Sequence, residues 1–165
     1  MTVPVSSGAR RQGEPGPVPG QAAPDFTLSN QFGEPVTLSA LRGSNVVVVF
    51  YPFAFSGICT GELCELRDNL ADFRTAQARL LAVSVDSKYT LRAYAAAEKF
   101  DFDLLADFWP HGAVASSYGV FNPERGMAER GSFIIDADGI LRSRLLAPVA
   151  QGRPMDDYRR ALAKL

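Results

Sequence analysis

The chain has 165 residues, 47% of them hydrophobic and 21% charged, which suits one globular domain with a substantial core. Its 17 Lys and Arg against 18 Asp and Glu leave a net charge of -1, so no electrostatic footprint for nucleic acid or anionic membrane exists and a small or neutral substrate is favoured. No apolar run approaches the roughly 18 residues of a membrane span, and Arg10-Arg11 is followed by a Pro- and Gly-rich stretch without an apolar segment, so the expected location is the cytoplasm.

Residues 1–20 hold Pro4, Pro15, Pro17 and Pro19 with Gly8, Gly13, Gly16 and Gly20 but almost no large apolar side chain. Such a segment cannot offset its own ordering entropy, and a flexible tail is expected, with one domain over residues 21–165. Phe26–Leu28 and Val36–Leu38 flank the turn-prone Asn30-Gln31-Phe32-Gly33, predicting an opening hairpin away from the chemistry. Val46–Tyr51 is a continuous β-branched and aromatic run, the pattern of a central strand covered on both faces. After Pro52, Leu63, Leu66, Leu70 and Phe73 recur at helical spacing, making a strand-loop-helix unit. Strands are then expected at Leu80–Val85 and Asp103–Ala106, helices at Tyr89–Lys99 and Ala113–Tyr118. Gly131–Ile135 and Ile140–Leu145 around Asp136-Ala137-Asp138-Gly139 predict a second hairpin, and Asp156–Lys164 a closing helix. The fold class is α/β, a mixed sheet with helices on both faces.

The two cysteines, Cys59 and Cys64, fall in the turn and first helical turns after the central strand. Backbone N–H groups at a helix start carry partial positive charge and lack internal partners, so a thiolate there is stabilised and Cys59 is placed to react. Four residues separate the cysteines, unlike the C-x-x-C of disulfide reductases. On an ideal helix residues five apart lie about 140° around the axis with Cα atoms about 8.7 Å apart, beyond the ~7 Å limit for a disulfide. If Cys64 resolves an oxidised Cys59, the first turns must unwind, which Gly57 and Gly61 would ease. Cys64 as a core residue of the helix stays open as the alternative. With one histidine, His111, beside two cysteines, the ligand set for structural zinc is poor, and neither metal nor cofactor is expected.

Pro52-Phe53-Ala54-Phe55-Ser56-Gly57-Ile58-Cys59 resembles the active-site motif of the peroxiredoxins: Pro, three residues, Thr or Ser, two residues, Cys. The similarity runs from Ala23-Pro24-Asp25-Phe26 to Gly131-Ser132-Phe133-Ile134-Ile135-Asp136 and on to the last helix, and implies a thioredoxin-like fold. Asp107–Val114 and Tyr118–Phe121 look most like the alkyl hydroperoxide reductase E group, with the bacterioferritin-comigratory type close by. The resemblance implies that Cys59 is the peroxidatic thiolate, attacking a hydroperoxide to give a sulfenic acid. It implies that Ser56 holds thiolate and peroxide in line, that Pro52 shields the cysteine, and that Arg130 is the arginine that favours the thiolate and polarises the peroxide. Without the motif, Ser56 reads as a helix N-cap, Pro52 as a strand terminator and Arg130 as a surface charge. Glu62 could bond this arginine, or belong with Arg67 to an ordinary helix face.

Cys64 departs from the alkyl hydroperoxide reductase E pattern, where an acidic residue often stands. As partner of Cys59 it implies an atypical two-cysteine enzyme recycled by a dithiol reductase such as thioredoxin. Otherwise an external thiol, mycothiol with a glutaredoxin-like protein, would resolve the sulfenic acid. The resemblance also suggests a homodimer packed through the loops at Phe53–Phe55 and Phe108–Trp109. Two rival functions remain at this point: a thioredoxin-type thiol-disulfide oxidoreductase, and a non-catalytic redox sensor that only changes shape when Cys59 is oxidised.

Overall fold

The computed structural model describes residues 15–165 and, at Cys59, the backbone alone. In chain order the strands are β1 (Thr27–Ser29), β2 (Pro35–Thr37), β3 (Asn45–Phe50), β4 (Ala78–Ser84), β5 (Asp103–Ala106), β6 (Phe121–Asn122), β7 (Met127–Ala128), β8 (Arg130–Ile135) and β9 (Leu141–Ala147). The helices are α1 (Gly57–Asp68), α2 (Leu70–Thr75), α3 (Lys88–Glu98), α4 (Ala113–Ser117) and α5 (Met155–Leu162), with a 3-10 turn at Leu38–Leu41.

Seven strands form one mixed sheet in the order β2-β1-β5-β4-β3-β8-β9. β3 lies in its interior, next to the middle strand β4, parallel to β4 with Val47 opposite Leu80 and antiparallel to β8 with Val47 opposite Ile134. The sheet divides the core because successive side chains of a strand point to opposite faces. Val47, Val49 and Tyr51 join Leu63, Leu66, Phe73 and Tyr158 on one side, whereas Val46, Val48 and Phe50 join Tyr118, Phe133 and Leu141 on the other. The run Val46–Tyr51 is therefore apolar at every position, and each such buried side chain contributes roughly 1.5–3 kcal/mol. The opening hairpin pairs Leu28 with Val36 and extends the same sheet through Ser29 and Ala106.

Two elements differ from the sequence pattern. The periodicity from Leu63 to Phe73 suggested one helix, but the backbone breaks at Asn69 (φ -112, ψ 23), whose side-chain amide donates to the Glu65 carbonyl at 2.8 Å. Phe73 still reaches the core formed by α1, so the apolar spacing survives the break. The β6–β7 hairpin has two residues per strand, too few for any periodicity to register.

Of the tail expected over residues 1–20, residues 1–14 lie outside the described chain. From Pro15 to Gly20 the chain packs on the domain: Gly20 N donates to Leu141 O at 2.8 Å and Arg144 donates to Pro17 O at 3.3 Å. A Cβ at Gly16 would stand 2.0 Å from the Tyr118 carbonyl oxygen. Composition misses this contact because backbone hydrogen bonds and the missing Cβ hold the segment, not apolar side chains. Among the described residues no helix is long and apolar enough to cross a membrane.

His111 has a structural setting: its Nε2 lies 2.6 Å from Gly126 O and its ring meets Phe121 edge-on. It follows Asp107, whose buried carboxylate accepts from Val114 N at 3.1 Å and Ala115 N at 2.9 Å and so caps α4 from a distance. Burial pushes the Asp107 carboxyl up to about 6 despite those two amides and nearby His111. A carboxyl raised in the folded state keeps its proton above the pH at which the unfolded chain loses it, so its contribution to stability shrinks as pH rises from about 4 through 6. The stability of Asp107→Asn relative to wild type should therefore improve by on the order of 1–3 kcal/mol between pH ~4 and ~7 in urea unfolding. A pH-independent difference would mean that the two amides cancel the effect of burial, and a difference of opposite slope that they outweigh it.

Candidate active site

β3 ends where Pro52, lacking an N–H, cannot continue the ladder that Tyr51 N still makes to Val83 O at 3.1 Å. The loop that follows is pinned from β4, because Ala54 N donates to Asp86 Oδ2 at 2.8 Å and Ser84 Oγ donates to the same oxygen at 2.7 Å. Phe55 adopts a positive φ of 65°, a conformation that a bulky side chain holds only when its surroundings impose it. The Phe55 ring packs on Tyr94 of α3 with centroids 4.8 Å apart.

Ser56 occupies the N-cap position of α1 with extended backbone, but its hydroxyl donates to Phe53 O at 3.1 Å instead of accepting from the helix. The capping role read from the sequence is therefore not performed by this side chain. The first turn of α1 also carries no acidic residue. No acidic side chain of that turn offsets its partial positive charge, an environment that favours an anion. Cys59 is the third residue of this helix. Behind it, Tyr94 donates to Thr60 Oγ1 at 3.0 Å and ties α1 to α3.

One turn further along α1, Glu62 is 5% exposed and faces two arginines. Arg130, at the start of β8, donates from NH1 to Glu62 Oε1 at 3.2 Å and from Nε to Val149 O at 2.7 Å. Arg153 donates from Nε to Glu62 Oε2 at 3.0 Å, from NH2 to Oε1, and from NH1 to Ser132 Oγ at 3.0 Å. Both arginines are as buried as the carboxylate. Two guanidiniums on one carboxylate leave an excess positive charge out of water, sustainable only because so many of its donors are satisfied. Arg130 is thus a buried residue and not the solvated surface charge its bare sequence position suggested.

The structure resolves the two readings of Glu62 in favour of the arginine. Arg67 turns away to Asp68 and to the Glu98 carbonyl. Arg153 was not foreseen: it stands among 17 basic residues in an irregular segment, and only its fork on Glu62 marks it. A groove of about 250 Å³ lined by Ile58, Gly61, Glu65, Gly152 and Pro154 opens onto Glu62 and Arg153.

Cys64 lies on another side of α1. It is half-buried against the core, and its Sγ donates to Glu98 Oε2 of α3 at 3.4 Å. Burial, then the Glu98 hydrogen bond, pushes its thiol up. Both cysteines belong to the unbroken helix Gly57–Asp68, so helix geometry keeps their Cα atoms about 8.7 Å apart. Among the described residues no three His, Cys, Asp or Glu side chains group so as to hold a metal ion.

Residues 19–144 match the AhpC/TSA family. The chain is 46% identical over 147 residues to alkyl hydroperoxide reductase E of Mycobacterium tuberculosis, covering 88% of this chain and 96% of that protein. It is 36% identical over 149 residues to peroxiredoxin-2 of Mus musculus, covering 84% and 74%. The crystal structure of Enterococcus faecalis AhpC superposes with a TM-score of 0.82 at 29% identity, covering 88% of this chain and 90% of that one. The fold is accordingly thioredoxin-like. By these likenesses the chain belongs to the AhpC/TSA family: it is a peroxiredoxin, a thiol peroxidase that reduces peroxides.

Proposed function

We propose that Cys59 is the peroxidatic residue of this peroxidase, with Ser56, Pro52 and Arg130 completing its site. The observation that carries the reading is the buried Arg130–Glu62–Arg153 cluster one turn along from Cys59 on the uncapped helix α1. The Cys59 thiolate attacks the terminal oxygen of a hydroperoxide, an S–O bond forms as the O–O bond breaks, and the departing oxygen takes a proton to leave as water or an alcohol. Arg130 stabilises the charge that passes to that oxygen, and the Ser56 hydroxyl, already fixed to Phe53 O, holds the peroxide in line. Pro52, buried at the end of the strand, keeps water from the sulfur. Hydrogen peroxide and organic hydroperoxides both meet these requirements.

A thiol reductant then attacks the sulfenic sulfur, an S–S bond forms and water leaves. Cys64 serves in this role only if α1 unwinds and the thiol leaves Glu98. Gly57 and Gly61, which have open space around them, make that melting easier. Reduction by thioredoxin follows from this route. Mycothiol with a glutaredoxin-like protein is the route if the helix stays closed. The lack of a C-x-x-C and the buried arginine cluster weigh against the disulfide-reductase and sensor readings.

The enzyme works in the cytoplasm as a homodimer joined through the Phe53–Phe55 and Phe108–Trp109 loops. Phe55, Phe108 and Trp109 are 55%, 53% and 81% exposed, large aromatic side chains of the kind that interfaces bury.

Rapid mixing of reduced protein with one equivalent of hydrogen peroxide, read by mass spectrometry, tests the core of this reading. Cys59→Ser should slow oxidation at least about a thousandfold, and a loss of two mass units that vanishes in Cys64→Ser identifies the intramolecular route. Sluggish oxidation of the wild type would sink the proposal. In Cys59→Ser, alkylation of Cys64 near neutral pH should be slower than that of a free cysteine and should accelerate in Glu98→Gln, since an acceptor that holds the proton on sulfur is then weakened. Sedimentation at micromolar concentration should give a dimer that Trp109→Glu dissociates, and a wild-type monomer would contradict the interface.

A further inference from the structure

Beyond the four residues of the proposed site, the same cluster continues away from Glu62 into the C-terminal helix. Arg153 uses Nε and NH2 for the carboxylate, which leaves NH1 pointing the other way, onto Ser132 Oγ at 3.0 Å. Ser132 Oγ in turn lies 2.7 Å from Tyr158 Oη on α5, and either hydroxyl can be the donor of that bond. Ser132 and Tyr158 are both fully buried, at 0% exposure, on the face of the sheet that packs α1. The Tyr158 ring is gripped by the core beside Phe73, with centroids 6.0 Å apart. Its position is therefore set by hydrophobic packing, while its hydroxyl is delivered to a polar chain.

We propose that Ser132 and Tyr158 are positioning residues that hold the Arg153 guanidinium in the plane it needs to fork Glu62, and through Glu62 hold Arg130. The inference rests on the proposed site. A planar guanidinium can satisfy a carboxylate bidentately in only a few orientations, and the third direction of its fork decides which one it takes. In a dry interior an unsatisfied N–H is costly, so the Ser132 oxygen selects the orientation, and the Tyr158 hydroxyl fixes the Ser132 rotamer in turn. Burial pushes the Tyr158 phenol up to about 12, so the residue acts as a neutral hydrogen-bonding group and not as a charge. Glu62, Arg130 and Arg153 are the charged groups that this chain reaches, from α1, β8 and the segment before α5. Both hydroxyls act on the site through Arg153 and Glu62.

Tyr158→Phe keeps the ring and the packing and removes one hydroxyl; Ser132→Ala removes the acceptor itself. Two readouts, peroxide consumption and the pH profile of Cys59 alkylation by iodoacetamide followed by mass spectrometry, are compared with Cys64 alkylation in the same molecules. Both variants should move the Cys59 profile to higher pH and lower its rate with peroxide roughly two- to tenfold, the range of one neutral hydrogen bond, with Cys64 unchanged. In an Arg153→Gln background Tyr158→Phe should have no further effect, because the two act along one chain. A Cys59 profile unmoved in both hydroxyl variants would overturn the inference, as would a Tyr158→Phe effect that persists at full size without Arg153 or an equal change at Cys64. Slow peroxide consumption by the wild type would instead contradict the proposed function, and the alkylation profiles still decide whether the hydroxyls position the cluster.

Discussion

The carboxylate of Glu62 is the constraint on which the rest of this molecule turns. It sits out of water with a guanidinium from β8 on one side and another from the segment before α5 on the other. Removing Glu62 would leave two guanidiniums without their shared carboxylate in the interior, a penalty of several kcal/mol. The interaction joins three parts of the chain that lie far apart in sequence: residue 62 with residues 130 and 153. It therefore locks the orientation of α1 against the sheet, and α1 is the helix that presents Cys59.

Around that lock the loop from Pro52 to Ser56 is held by polar contacts of a different kind. Asp86, two residues past β4, takes Ala54 N, Ser56 closes on Phe53, and Phe55, in a left-handed backbone, packs its ring on Tyr94. A backbone that is specified by several independent contacts is pre-organised, so little ordering remains to be done when a substrate arrives. The same rigidity bears on Cys64. Its thiol is engaged with Glu98 on α3 and the helix between the cysteines is continuous, so joining them requires breaking contacts that the resting fold makes. A resolving role and a structural role for Cys64 thus belong to two conformations of α1, not to two rotamers.

Much of the fold was legible because its sheet is built from local signals. Val46–Tyr51 could only be a strand buried on both faces, and Asp136–Gly139 only a tight turn, since Asp136 Oδ1 accepts from Asp138 N and Ile140 N while Gly139 adopts φ 82°. Where a competing side-chain bond intervened, as at Asn69, periodicity ran on through a break it could not detect. Ser56 shows the same limit from the other side: an N-cap position predicts a cap, yet the loop geometry offered the hydroxyl a nearer acceptor.

By itself the sequence determined the strand-loop-helix unit, the position of Cys59 at a helix start, and the spacing that separates this chain from C-x-x-C proteins. These are properties of neighbours in the chain, governed by side-chain period, glycine and proline, and helix geometry. Tertiary structure alone decided that Arg130 is buried, that Arg153 exists as a partner at all, and that Ser132 and Tyr158 meet behind it. A charged side chain reads the same in sequence whether it is solvated or enclosed. Only the fold brings distant residues together in a low dielectric, where an ion pair becomes strong and an unpaired donor intolerable.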